Sequence, residues 1–296
     1  MDLDWLRANP RNLGISLHHQ RIRETPVPGG DVCIASRLTL DDGSELFVKR
    51  RDETPPDDFF AAEAAGLRWL AVPGGPPVPE VIAVDSGAIA LQWIEHGAPA
   101  SAAAEDFGRR LATLHRASCA GFGAPWRGYI ATEPLDNTSP GGNVTWLEWY
   151  RSRRIEPYLR VSRDAGALNG GDVTAVETAL AGIDPPIEPP ARIHGDLHPG
   201  NVLWGVEQAW LVDPAAHGGH RETDLATLHL FGGTQHLDRI INAYQEIYPL
   251  AAGWQDRIGV HQLHLALVHT ALFGPAFAGL VRAAAGGPVR RHVEAG

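Results

Sequence analysis

The segment His194-Gly195-Asp196-Leu197-His198-Pro199-Gly200-Asn201 gathers two imidazoles, a carboxylate and an amide into one short stretch. Gly195, Pro199 and Gly200 prevent a regular helix, so these polar groups must ride on a loop. Twelve residues after Asn201 comes Trp210-Leu211-Val212-Asp213-Pro214, an apolar run that reads as a short strand with a second carboxylate at its exit. A carboxylate can orient and deprotonate a hydroxyl, and carboxylate and amide oxygens are hard ligands that suit Mg²⁺. Transfer of a phosphoryl group from ATP to an alcohol needs those parts, together with cations that balance the developing charge. The competing reading pairs His194 with His198 as metal ligands. That spacing works on a helix, which the glycine and proline positions disallow.

The spacing of His194, Asp196 and Asn201 resembles the protein-kinase catalytic loop, H-R-D-x-x-x-x-N followed by an aspartate at a strand end, with Gly195 replacing the arginine. By that resemblance Asp196 is the catalytic base, and Asn201 and Asp213 are the metal ligands. A lysine should then meet the phosphates, and a glutamate should hold it. Leu46-Phe47-Val48-Lys49 is an apolar strand ending in a lysine. Glu63 shares a helical face with Phe59, Phe60, Leu67 and Leu70, where a carboxylate is costly unless paired. Lys49 is the expected partner; the alternative leaves Glu63 in water at a frayed helix edge. Gly29 and Gly30 precede the strand by a hairpin's length. They form either a phosphate-cradling loop or a plain turn. In the first case Cys33 lies near the nucleotide; otherwise it is a packing residue. Trp93 and Ile94 follow a strand where the two halves of the chain meet, and either present backbone to adenine or simply end the strand.

The elements that must position these groups change character along the chain. Leu3 to Ala8 reads as a short helix. Ile22 to Val27, Val32 to Leu40 and Glu45 to Arg50 read as strands separated by Pro28-Gly29-Gly30 and Asp41-Asp42-Gly43. A helix is predicted from Thr54-Pro55-Pro56, with Asp57 and Asp58 suiting its dipole, and a hairpin over Pro79 to Ile94. Helices are predicted over Ala102 to Ser118, Val144 to Leu159, Val173 to Gly182, Glu222 to Phe231, Leu237 to Tyr248 and Trp254 to Ala284. Residues 1–94 therefore form a small β-rich lobe for the nucleotide. Residues 95–296 form a larger helical lobe carrying the catalytic loop and the acceptor site.

The net charge of −10 without a basic cluster argues against nucleic acid or an anionic membrane as partner. Two cysteines cannot build a disulfide framework, and the acidic N-terminus has no apolar run, so a cytoplasmic setting is expected. The apolar stretch His264 to Val281 contains His264, His269, Gly274 and Pro275, which fits a buried helix rather than a membrane span.

The loop from His194 to Asn201 also resembles that of aminoglycoside phosphotransferases, choline kinases and fructosamine kinases. The run Asp213-Pro214-Ala215 through Arg221-Glu222-Thr223-Asp224-Leu225-Ala226 is similar to fructosamine (ketosamine) kinases in particular. Further likeness lies in Gly29 to Lys49 with Cys33-Ile34, in Asp136-Asn137-Thr138, in Trp146 to Tyr150, in Arg154 to Leu159, and in Gln262-Leu263-His264 with Leu272-Phe273-Gly274. The resemblance implies a bilobal, protein-kinase-like α+β fold with a small antiparallel sheet and a mainly helical second lobe. It implies ATP and Mg²⁺ as cofactors and phosphorylation of the 3-hydroxyl of a small-molecule or protein-bound ketosamine, leading to deglycation. Another small-molecule phosphotransferase of the same fold, such as an aminoglycoside kinase, is the alternative. Asp224 would brace the catalytic loop, and His194 and His198 would support it. The family's usual tryptophan after Asp-Leu is His198 here, at a position that faces the acceptor.

Overall fold

The structure is a computed structural model that describes residues 22–28, 32–51 and 55–286. The helix expected at Leu3 to Ala8, the glycines Gly29 and Gly30, and Thr54 lie outside the described residues. Five strands form one antiparallel sheet in the order β1-β2-β3-β5-β4: β1 (Ile22–Val27), β2 (Ile34–Leu40), β3 (Glu45–Arg50), β4 (Val81–Val84) and β5 (Ala88–Gln92). In the middle strand, Lys49 pairs with Ala35 on one side and Ile89 on the other. Alternation along β2 and β3 buries Leu38, Leu40, Leu46 and Val48 on one face.

Helix α1 (Phe59–Leu70) packs on the other side through Phe60 and Leu67, against Ile89 and Leu91. Full burial of a side chain such as Phe60 contributes about 1.5–3 kcal/mol. The helix starts at Phe59 rather than at Thr54-Pro55-Pro56. Each proline biases its predecessor towards extended backbone, so the helix begins once both have passed. The Asp58 carboxylate then accepts from the Tyr129 hydroxyl instead of capping.

The rest of the described chain is mainly helical. It comprises α2 (Ser101–Arg116), a hairpin of β6 (Gly128–Ile130) and β7 (Glu133–Leu135), α3 (Trp146–Tyr150), α4 (Glu156–Asp164) and α5 (Gly170–Gly182). Then come β8 (Ala191–Ile193), β9 (Val202–Trp204), β10 (Ala209–Leu211), β11 (His217–Gly219), α6 (Glu222–Thr227), α7 (Leu237–Ile247), α8 (Trp254–Phe273) and α9 (Ala278–Ala285). Three expected helices are interrupted. Val144 to Leu159 is split by a π-helical turn at Arg151–Ile155, because Pro157 has no N–H for the Arg153 carbonyl. The helix expected to reach Phe231 stops at Thr227, and Phe231 has a left-handed φ of 55°. Trp254 to Ala284 breaks at Gly274 (φ 80°) and Pro275.

Trp254–Ala285 spans 32 residues and contains an 18-residue window with a mean hydropathy of 1.5, long and apolar enough to cross a membrane. Its polar groups are instead bonded inside the protein. Gln262 Nε2 donates to the Ala226 carbonyl (2.8 Å), and His264 Nδ1 meets the Arg154 carbonyl (3.0 Å). Leu263, Leu265 and Leu267 are buried in the helical core beside Trp149, Tyr150 and Ile155, so this is a core helix.

Candidate active site

Two short antiparallel ladders hold the polar loop. Strand β8 pairs with β11 and delivers the chain to His194, while β9 pairs with β10 and returns it towards Asp213. The turn between them needs glycine at 195. Its φ is 79°, and a Cβ there would stand 2.4 Å from the Ala215 carbonyl oxygen. Asp224, fully buried in the first turn of α6, accepts from the His194 N–H (2.7 Å) and the Gly195 N–H (3.0 Å). Its Oδ2 also lies 3.2 Å from His115 Nε2, whose other ring nitrogen bonds the Tyr244 hydroxyl (2.9 Å). Thr227 Oγ1 donates to the Leu197 carbonyl (3.0 Å). The loop is thus pinned from below by α6.

His194 sits across the loop rather than in the cleft. Its Nε2 is 2.8 Å from the Val212 carbonyl, and its Nδ1 accepts from the Asp196 N–H (3.3 Å). Burial pushes this imidazole below its ordinary value, so it acts as a neutral spacer between loop and strand. Asn201 lies on a 3₁₀ turn, Pro199–Asn201. Its Nδ2 donates to the Asp196 carbonyl (2.8 Å) and to Asp196 Oδ2 (3.2 Å). The Val212 N–H donates to the Asn201 carbonyl (3.2 Å), which ties both sides of the loop to the residue preceding Asp213.

Lys49 connects this region to the sheet. Its ammonium lies 2.8 Å from Glu63 Oε1 and contacts Asp213 Oδ1 directly, so the predicted Lys49–Glu63 pair forms. Burial alone would lower the lysine pKa; the charges of Asp213 and Glu63 overcome it and hold the ammonium above its ordinary value. Asp213 has a left-handed φ of 54°, and half of its side chain faces the cleft. Burial raises its carboxyl and Lys49 more than offsets that, leaving it below the usual range. Asp196 moves the other way, because burial and the Asp213 charge push its carboxyl well up.

These groups share one cleft of about 600 Å³. Trp93, Ile94 and Cys33 line it on the sheet side, with Lys49 and Glu63; Asp196, His198, Asn201 and Asp213 line it on the helical side. Burial pushes the Cys33 thiol up, away from the thiolate form. Burial also pushes the His198 imidazole down to about 4, helped by His194 and His269, so the ring is neutral near pH 7. Trp146, Trp149 and Tyr150 are buried in the core, with Trp146 stacked on Tyr150 and His261.

The donor set fits a hard divalent cation. Asp213 is anionic and open to the cleft, and the engaged amide nitrogen of Asn201 leaves its carbonyl oxygen as the available end. A second group, His220, Glu222 and His261, has donor atoms within 4.8 Å of one another. There Arg257 binds both Glu222 oxygens (2.7 and 2.6 Å), and the group is an internal ion-pair network.

Several contributors were not legible beforehand. His115 reads in sequence as a packed histidine, and only its contact with Asp224 gives it a part in holding the loop. The β6–β7 hairpin, which brings Tyr129 and Ile130 to the cleft, lies within a stretch whose glycines and prolines suggest only punctuation. Phe231 and His269 carry no local signal beyond being ring-bearing residues near helix ends.

The sequence model of the fructosamine kinase family matches residues 13–284. A protein of Thermus thermophilus named as a probable ketoamine kinase is 32% identical over 254 residues, covering 86% of this chain and 89% of its own. The chloroplastic protein-ribulosamine 3-kinase of Arabidopsis thaliana is 29% identical over 263 residues, covering 85% and 78%. The crystal structure of a candidate fructosamine-3-kinase from Thermobifida fusca superposes with a TM-score of 0.81 at 46% identity, covering 89% of this chain and 94% of that one. A macrolide 2′-phosphotransferase of Brachybacterium faecium, 16% identical, shares the fold with a TM-score of 0.59 over 98% of this chain and 99% of its own. The bilobal α+β architecture is that of the protein-kinase-like phosphotransferases, and the protein is a phosphotransferase enzyme. With the family model matched over nearly all of its length, the chain belongs to the fructosamine kinase family.

Proposed function

We propose that the protein transfers the γ-phosphoryl group of ATP to the 3-hydroxyl of a ketosamine. The observation that carries the reading is the convergence of Asp196, Asn201, Asp213 and the Lys49–Glu63 pair on one cleft. Asp196 is the base: its unpartnered Oδ1 accepts the proton of the acceptor hydroxyl, while Asn201 holds Oδ2 and the adjoining backbone. Lys49 brings positive charge to the phosphates, and Glu63 keeps its ammonium in place. Asp224 and His194 position the loop, and His198 borders the acceptor. Asn201 and Asp213 would hold Mg²⁺, which when bound would neutralise charge on the phosphates.

Residues up to about 94 serve as the nucleotide lobe, with Trp93 and Ile94 beside the base. The remainder serves the acceptor. A phosphate on carbon 3 is a better leaving group than hydroxide, so its elimination leads to release of the amine and deglycation. The free thiols Cys33 and Cys119 support a cytosolic setting. The test is ADP release from Mg-ATP in the presence of fructosyl-lysine or kanamycin. Fructosyl-lysine is expected to be phosphorylated at its 3-hydroxyl, and phosphorylation of kanamycin alone would overturn the reading.

A further inference from the structure

His198, His269 and Phe273 line the cleft, and Phe231 and Phe277 join them in a group of rings that the phosphoryl chemistry does not use. His198 stands edge-on to Phe231, with centroids 5.6 Å apart, and Phe231 lies 5.2 Å from His269. Phe273 and Phe277 flank the same imidazole at 5.8 and 5.5 Å. Phe231 and Phe273 are 50% and 46% exposed, so both phenyl rings meet solvent. Phe231 is also held at φ 55°, a conformation unfavourable for a bulky side chain, and Gly232 and Gly233 continue the positive φ after it. His269 Nδ1 lies 2.8 Å from the Leu265 carbonyl one turn back; donating there, it leaves Nε2 as a bare acceptor among the rings.

We propose that Phe231, His269 and Phe273 form the subsite for the protonated secondary amine of the acceptor, with an N-substituent that is apolar next to the nitrogen. The inference rests on the ketosamine reading above and names the half of that substrate which the phosphoryl-transfer groups leave unaddressed. A secondary ammonium is attracted to aromatic faces, and one of its N–H bonds can be donated to His269 Nε2. The spacing agrees. Four bonds separate the 3-oxygen of a ketosamine from its nitrogen, at most about 5 Å at roughly 1.5 Å per bond. His198 Nε2 is 4.0 Å from Asp196 Oδ2, and Phe231 packs edge-on against that imidazole. The ring group therefore begins within reach of the nitrogen. Among the described residues lining the cleft, the carboxylates are Glu63 and Asp213, both paired with Lys49, and Asp196, which the base role occupies at the acceptor hydroxyl. The acceptor end thus suits a single ammonium between rings better than a polycation that needs several carboxylates.

The test is calorimetric binding of N-fructosyl-benzylamine and of its neutral isostere 1-O-benzyl-fructose to the full chain. The wild type should prefer the amine by about tenfold, the scale of one cation–π contact with its hydrogen bond. Phe273→Leu and Phe231→Leu should each cut that preference to under about threefold, whereas Phe231→Tyr should keep it. Equal affinity for the two ligands, binding of neither, or a preference that survives both leucine variants would overturn the subsite. Turnover of the amine with Mg-ATP is read in parallel. Selective binding without phosphoryl transfer would refute the kinase assignment while upholding the subsite. Transfer without selectivity would do the reverse.

Discussion

Replacing Asp224 should separate holding the loop from doing chemistry. Its two oxygens, fully buried, receive the His194 and Gly195 N–H groups and face His115 Nε2. Asp224→Ala strands both backbone donors. The histidine can escape by moving its proton to Nδ1 and donating to the Tyr244 hydroxyl. Each stranded buried donor costs about 1–3 kcal/mol, so the variant should lose about 2–6 kcal/mol, a large share of the 5–15 typical of a domain. Asp224→Asn keeps one oxygen for one N–H, and its amide can donate to the re-protonated His115, so a single backbone donor faces another donor. That should cost about 1.5–3 kcal/mol. Urea unfolding should show midpoints in the order wild type, Asn, Ala, at unchanged slope. Turnover should fall by about 10²-fold in both, since displacing the loop by about an ångström is enough. If the alanine variant lies within about 1 kcal/mol of wild type, or asparagine is no better than alanine, the bracing argument is wrong.

Three further outcomes are expected. Asp196→Asn should lower kcat by about 10²–10⁴-fold while calorimetry still detects Mg-ATP, and Asp213→Ala should instead weaken Mg-ATP binding. Gly195→Ala should cost at least about 2 kcal/mol, from left-handed strain and from a Cβ driven against the Ala215 carbonyl, and should appear as a lowered melting temperature. The third concerns pH. Burial would raise the Glu222 carboxyl, but its bonds to Arg257 and its contact with His261 hold it down to about 2. A folded-state value below the unfolded one of about 4.3 stabilises the protein fully above pH ~4.3 and loses that stabilisation as pH falls towards 2. The amount is about 3 kcal/mol, and in Glu222→Gln the acid-limb slope of unfolding free energy should flatten by about one proton.

The loop residues that converge on the cleft were legible in the linear chain because their spacing is fixed within a few positions. Gly195, Pro199 and Gly200 mark backbone that cannot be helical, and Asp196, Asn201 and Asp213 follow from them. The strand Glu45–Arg50 was legible for the same reason, since alternation and a turn signal are local. The helix breaks at Pro157 and Gly274 were available in principle, because those residues were in plain view; long apolar periodicity outweighed them.

Other features were decided only in three dimensions. Whether Glu63 met Lys49 or water depended on how α1 docks on the sheet, and that docking is set by Phe60, Leu67 and Ile89 rather than by the charges. The bracing of the loop by Asp224 and His115 joins residues 109 positions apart. The aromatic group of His198, Phe231, His269 and Phe273 likewise comes from three separate segments. Local spacing encodes which atoms can bond a nucleotide or accept a proton, because those groups are adjacent in the chain. What surrounds those groups is made by packing, and packing contacts between distant segments leave no periodic trace in the sequence.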